Sequence, residues 1–237
     1  MTSILLALAR RFWGFVLAAA LSVLATPANA EMVFSQVIVD LTAGAVPHQD
    51  VEVWNSGSER IYVVAEPSEI VFAGKADERR VQMADPAQLG LLVAPNRLIL
   101  EPGERKLIRI AAIAERTGTE RIYRVAIKPV TGDITAAGSG LKLLVGYDAL
   151  VIVRPTELHS EITGTRIGNI LTLRNDGNTN AELFDGKQCD GMGRNCVSLP
   201  PKRLYAGASW DQPLTRGTSA TYSVKTGDAV AVRTFQP

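Results

Sequence analysis

The chain is poor in residues that do covalent or metal chemistry. Its 237 residues include two histidines and two cysteines, and aromatic residues make up 6%. His48 and His159 each stand without neighbours at metal-ligand spacing, so no metal centre is expected. There is no Gly-x-Ser-x-Gly elbow, no phosphate-cradling glycine loop and no His-Glu-x-x-His. The carboxylates are scattered, as on an ordinary soluble surface. An enzyme is therefore not expected, nor is any nucleotide or other cofactor. An excess of charge is missing too. Of 25 basic residues, Arg10 and Arg11 fall in the first 30, leaving 23 against 24 acidic ones. A nucleic-acid partner would want a strongly basic face.

The mature chain also lacks helical periodicity. What it has instead begins with a leader. Arg10 and Arg11 precede an apolar run over 12–24, and Ala28-Asn29-Ala30 is a small-x-small cleavage site. Residues 1–30 read as a signal peptide, with Glu31 as the first mature residue. A membrane anchor is the rival reading, but the run is short and ends in a cleavage signal, so no membrane insertion is expected after cleavage. The 207 residues that remain suit two domains. Cys189 and Cys196, an even pair in an exported chain, read as a disulfide closing a small loop around Gly191 and Gly193. Two thiols with no histidine nearby cannot fill a tetrahedral metal site.

Short β-rich runs fill the rest, at 37–39, 51–54, 61–64, 89–93, 97–100, 107–112, 121–127 and 141–153. A second set lies at 170–173, 181–184, 203–205, 221–224 and 230–234. Between them stand turn signals such as Asn55-Ser56-Gly57, Pro102-Gly103 and Gly138-Ser139-Gly140. This punctuation predicts an all-β protein of two immunoglobulin-like sandwiches, residues 31–154 and 155–237. An internal echo supports two similar halves. Val51-Glu52-Val53-Trp54-Asn55-Ser56-Gly57 resembles Leu171-Thr172-Leu173-Arg174-Asn175-Asp176-Gly177, an alternating strand ending in Asn-x-Gly.

The run over 141–155 reads as one long strand stopped by Arg154-Pro155. Leu141, Leu143, Val145 and Tyr147 share one face, while Lys142, Leu144 and Gly146 lie on the other. The plainer reading makes them core residues. If the core takes Leu144, Leu150 and Ile152, however, Leu141, Leu143 and Val145 have no internal partner, which favours a strand offered to another chain.

Several motifs in order resemble the periplasmic pilus-assembly chaperones of the PapD-like family. These are Asp50-Val51-Glu52-Val53-Trp54-Asn55, Ala94-Pro95-Asn96-Arg97-Leu98, Leu100-Glu101-Pro102-Gly103, Leu107-Ile108-Arg109-Ile110 and Glu120-Arg121-Ile122-Tyr123-Arg124-Val125. The strand that ends in Arg154-Pro155 completes them. The resemblance covers nearly all of 33–155, and the second half matches loosely. It implies a chaperone in the periplasm that donates a strand to pilus, fimbrial or coat-type subunits and passes them to an outer-membrane usher. Leu141, Leu143 and Val145 would be the donor anchors. It also implies an interdomain ion cluster of Arg154, Glu120 and an aspartate near the C-terminus, Asp228 being the candidate. The family holds a subunit's terminal carboxylate with an arginine and a lysine. Here Gln36 and Leu150 occupy those positions, neither a cation, and Arg109 or Arg124 is the available substitute. The segment 130–140 is short, which fits a short-loop or divergent branch. The main alternative function is a secreted two-domain immunoglobulin-like adhesin or structural binding module.

Overall fold

Residues 32–130 and 144–237 are described by the computed structural model. The leader (1–30), Glu31, the loop over 131–140, Leu141, Lys142 and Leu143 lie outside the described residues. In chain order the first ten strands are β1 (Met32–Phe34), β2 (Ile38–Leu41), β3 (His48–Asn55), β4 (Ile61–Val71), β5 (Arg79–Val81), β6 (Leu91–Ala94), β7 (Arg97–Leu100), β8 (Arg105–Ala112), β9 (Arg121–Val130) and β10 (Tyr147–Val153). They form two facing sheets, β1-β3-β8-β6 and β2-β10-β9-β4-β5, with β7 also paired to β4. Eight more follow: β11 (Ile162–Ile167), β12 (Ile170–Asn175), β13 (Ala181–Gln188), β14 (Val197–Leu199), β15 (Lys202–Leu204), β16 (Ser209–Pro213), β17 (Ala220–Thr226) and β18 (Ala229–Phe235). Their sheets are β11-β12-β16 and β14-β13-β17-β18, with β15 on β13.

Each pair of sheets encloses its own apolar core. One draws on residues from Met32 to Val153, including Val51, Val53, Ile108 and Val125. The other gathers Leu171, Leu173, Leu183, Tyr222 and Phe235. The chain is thus all-β with two immunoglobulin-like sandwiches, as its punctuation predicts. Alternation explains the inward faces. Along β3 Val51, Val53 and Asn55 point in, and along β17 Ala220, Tyr222 and Val224 do. Burial pushes the Tyr222 phenol up to about 12.

The predicted run over 89–93 is divided. Asp85 accepts a hydrogen bond from Ala87 N at 2.9 Å, Pro86 opens a one-turn helix α1 (Pro86–Leu89), and Gly90 closes it in the left-handed region at φ 82°. Strand structure starts only at Leu91. The capping aspartate and the N1 proline outweigh the β-rich composition here.

The internal echo is structural. Asn55 and Asn175 end β3 and β12, and both are fully buried. Asn55 Nδ2 donates to the carbonyls of Glu59 and Leu100, and its Oδ1 accepts from Gly57 N. Asn175 repeats the pattern with Thr179 O, Leu204 O and Gly177 N. Each amide pins a turn to a neighbouring strand. Asn175→Ala will strand two buried carbonyls and one amide N–H, lowering the unfolding free energy by about 2 kcal/mol. A urea titration measures it.

The predicted disulfide joins Cys189 to Cys196 between β13 and β14. Asp190 braces the same loop, accepting from Arg194 N at 2.7 Å and Asn195 Nδ2 at 2.9 Å. Because the closed loop is short, the Cys189→Ser, Cys196→Ser double variant will lose at most about 2.5 kcal/mol in a thermal or urea melt.

Candidate functional site

β10 sits between two partners. It pairs in parallel with β2, Leu150 opposite Ile38, and antiparallel with β9, from Tyr147 opposite Ile127 to Val153 opposite Arg121. The ladder begins at Tyr147, so the long strand expected from 141 onwards is shorter among the described residues. Leu144, Val145 and Gly146 precede it outside any strand. Val145 is 50% exposed. Of the three expected anchors it alone is described.

The core takes the opposite set of β10 residues from the one expected from sequence. Ala149, Val151 and Val153 enter the first core, and Leu150 and Ile152 do not. Those two lie on the outer face in a separate cluster with Ala73 and Ile122, packed under Tyr205 of the second sandwich and Ile70. Leu144 is only partly buried. The reason is that the second sandwich covers the outer face, so both faces of β10 are apolar and hydropathy alone does not reveal which looks inward. Strand alternation places Val145 on the core-facing register. The nearest core-side residue after it, Tyr147, packs its ring 5.6 Å from Phe34 and donates its hydroxyl to Met32 O. Val145 therefore extends the apolar row past the end of the ladder.

Pairing across the sheet lays out the outer face in rows. Ile38, Leu150, Arg124 and Ser68 form one row, and Asp40, Ile152, Ile122, Ile70 and Arg80 the next. Leu150, at the family's lysine position, is 5% exposed and spends its side chain on the interdomain cluster. Gln36 lies two residues before Ile38. Its Nε2 is buried with no hydrogen-bond partner among the described residues. Arg109, one proposed substitute cation, lies on β8 of the other sheet and is held by both oxygens of Asp50 at 2.8 Å. Arg124 faces the cleft between the sandwiches. There a cavity of about 450 Å³ is lined by Arg79, Arg80, Arg124, Asp148, Glu78 and Tyr205, among others. Burial raises the pKa of the Tyr205 phenol, opposed by the charges of Arg124 and Arg203.

The interdomain contact is built around Arg154, which is 3% exposed. Its Nε and Nη2 donate to Asp40 at 2.7 Å each, and Nη1 donates to Thr179 Oγ1 at 2.6 Å. Thr179 in turn donates to Glu120 Oε2 at 3.0 Å. Glu120 also accepts from Asn180 N and Asn180 Nδ2, and from Ala206 N. Arg154 and Glu120 thus meet through a buried hydroxyl rather than directly. Asp228 is not in this cluster. It is exposed in the tight turn between β17 and β18, and the acid that pairs with Arg154 is Asp40 on β2. The ion pair is therefore internal to the first sandwich, and the link to the second is made by neutral groups. Thr179, Asn180 and Asp40 went unrecognised from sequence. The Asn178-Thr179-Asn180 stretch following the Asn-Asp-Gly turn was their one local signal.

No family model matches the chain. Among curated proteins it is similar to a CFA/I fimbrial protein of Escherichia coli, 28% identical over 204 residues, 81% of this chain and 84% of that protein. It is also similar to the probable fimbrial chaperone EcpE of E. coli, 31% identical over 147 residues, 57% of each. Among solved structures the class 5 fimbriae chaperone CfaA superposes with a TM-score of 0.65 at 23% identity, over 87% of this chain and 99% of that one. The chain has the fimbrial-chaperone fold. A Salmonella enterica SafB chaperone, solved in complex with SafA pilin, superposes with a TM-score of 0.61 at 16% identity, over 90% and 99%. The resemblance carried by the sequence motifs is thus met in both comparisons. These relatives are named as chaperones and fimbrial proteins, none as an enzyme. Among the described residues no helix is long and apolar enough to cross a membrane.

Proposed function

We propose that the chain is a periplasmic chaperone, exported by residues 1–30, that holds fimbrial or coat-type subunits by donating residues 141–147 and delivers them to an outer-membrane usher. The observation that carries this reading is the continuation of the β10 core-facing row into exposed Val145, beyond the end of its own ladder. An apolar strand segment at that place can complete a sandwich that lacks a strand, through main-chain pairing and alternating anchors. Each anchor fully buried in a client contributes about 1.5–3 kcal/mol. Arg124, open to the cleft beside the donor strand, serves as the cation for the client's terminal carboxylate in place of Gln36 and Leu150. A buried carboxylate without a cation is costly. Solved relatives support the reading: SafB is captured with a pilin, and another structure is a chaperone–tip adhesin complex of CFA/I fimbriae biogenesis.

The test is affinity purification of the tagged protein from the periplasm of its native host, with mass spectrometry of what is bound. Small secreted β-rich subunits are expected. A folded, client-free monomer recovered while fimbrial genes are expressed would favour an adhesin or structural module instead.

A further inference from the structure

Asp148 is the first residue beyond the proposed donor segment, and it lies in the cleft that holds Arg124. Its carboxylate straddles one nitrogen of Arg80, whose Nη2 lies 2.7 Å from both oxygens. Its Oδ2 lies 4.0 Å from Arg124 Nε, and its backbone carbonyl accepts from Arg124 Nη1 at 3.2 Å. The neighbouring charges are otherwise engaged. Arg79 stands over the Phe72 ring at 5.6 Å, and Glu78 accepts from Gly74 N at 2.6 Å. Two arginines therefore share one carboxylate, and Arg124 has no closer anion among the described residues. All three side chains remain a third to a half exposed, so the arrangement is open to exchange.

We infer that Asp148 is a built-in stand-in for the client carboxylate, occupying the Arg80–Arg124 pair until a client's terminal carboxylate displaces it. The inference rests on the donor-strand reading above. A client strand paired along 141–147 runs out beside residue 148, where its end would meet these two guanidiniums. Arginine's planar fork accepts any carboxylate of suitable reach, so an aspartate and a chain terminus compete for the same donors. In the free protein the stand-in keeps two like charges from facing each other unneutralised. On binding it yields, which makes capture depend on the client's end being in place.

The test uses sodium acetate as the probe and follows the Arg80 and Arg124 Nε–Hε resonances by NMR at constant ionic strength. Wild type is compared with Asp148→Asn and with Glu66→Gln, which removes a negative charge from the same sheet face, where Glu66 pairs with Lys128. Asp148→Asn is expected to bind acetate about fivefold more tightly than wild type, the exchange value of an exposed ion pair, with Glu66→Gln unchanged. Equal affinities in wild type and Asp148→Asn, or an equal gain in Glu66→Gln, overturn the stand-in and leave Arg124 as an anchor. Acetate moving neither arginine in any protein overturns both the stand-in and the Arg124 anchor. The donor-strand reading itself is decided separately by the client purification.

Discussion

Asp40→Ala will lower the unfolding free energy by about 3 kcal/mol, more than Arg154→Met will. The ordering follows from where each charge is left. The Arg154 side chain is 4% exposed and the Asp40 side chain 36%. Removing the aspartate leaves a guanidinium out of water with only Thr179 Oγ1 as its side-chain acceptor. Breaking a buried pair in that way costs about 3–5 kcal/mol. Removing the arginine while keeping its volume leaves a carboxylate that water already reaches, and the loss is about 1–2 kcal/mol. The double variant should lie near the Arg154→Met value, because an uncharged pair has nothing left to desolvate. Urea unfolding of the three variants measures this. If Arg154→Met is the more damaging, the pair matters chiefly through the hydrogen bond to Thr179 and hence through the second sandwich. A shift in interdomain orientation, read by small-angle scattering, is expected for Arg154→Met, since Nη1 is its link across the boundary.

Leu143→Glu will weaken client binding by about 100-fold or more while leaving the free protein's stability unchanged. The loss combines the apolar contact of one anchor, about 1.5–3 kcal/mol, with the cost of carrying a carboxylate into a client's groove. A factor of 100 corresponds to about 2.7 kcal/mol. Val145→Glu should act in the same direction, because Val145 is half exposed and its charge would be solvated in the free state. The measurement is a titration with a purified client protein, together with urea melts of both variants. A large stability loss in Val145→Glu would mean that residue 145 is part of the chaperone's own packing.

The sandwich architecture was legible because alternation and turn chemistry agree. Asn55 and Asn175 were visible as an echo of seven residues, and their shared hydrogen-bond pattern follows from an Asn-x-Gly turn needing an amide at that place. The inward face of β10 was not legible, because Leu150 and Ile152 look like core residues and are buried, but against Tyr205 rather than inside the sandwich. A strand covered on both sides carries no alternation to read. The ion cluster was half legible. Arg154 and Glu120 follow from motif order, whereas Asp228 is favoured only by its position near the C-terminus, and the true partner, Asp40, lies 114 residues before the arginine. Long-range pairing of that kind is set by the parallel register of β2 against β10, which no local pattern encodes. Arg109 and Arg124 look equivalent in sequence and fall on different sheets, so only the topology separates the one paired to Asp50 from the one open to the cleft.

The most direct measurement is amide hydrogen exchange across residues 141–153 in the free protein and in its complex with a captured client. Strand donation predicts that the amides of 141–146 gain strong protection in the complex, while those of 149–153, already in the ladder, change little. Protection gained at β6, β18 or the Cys189–Cys196 loop, with 141–146 exchanging as in the free protein, would contradict it and move the client to another surface.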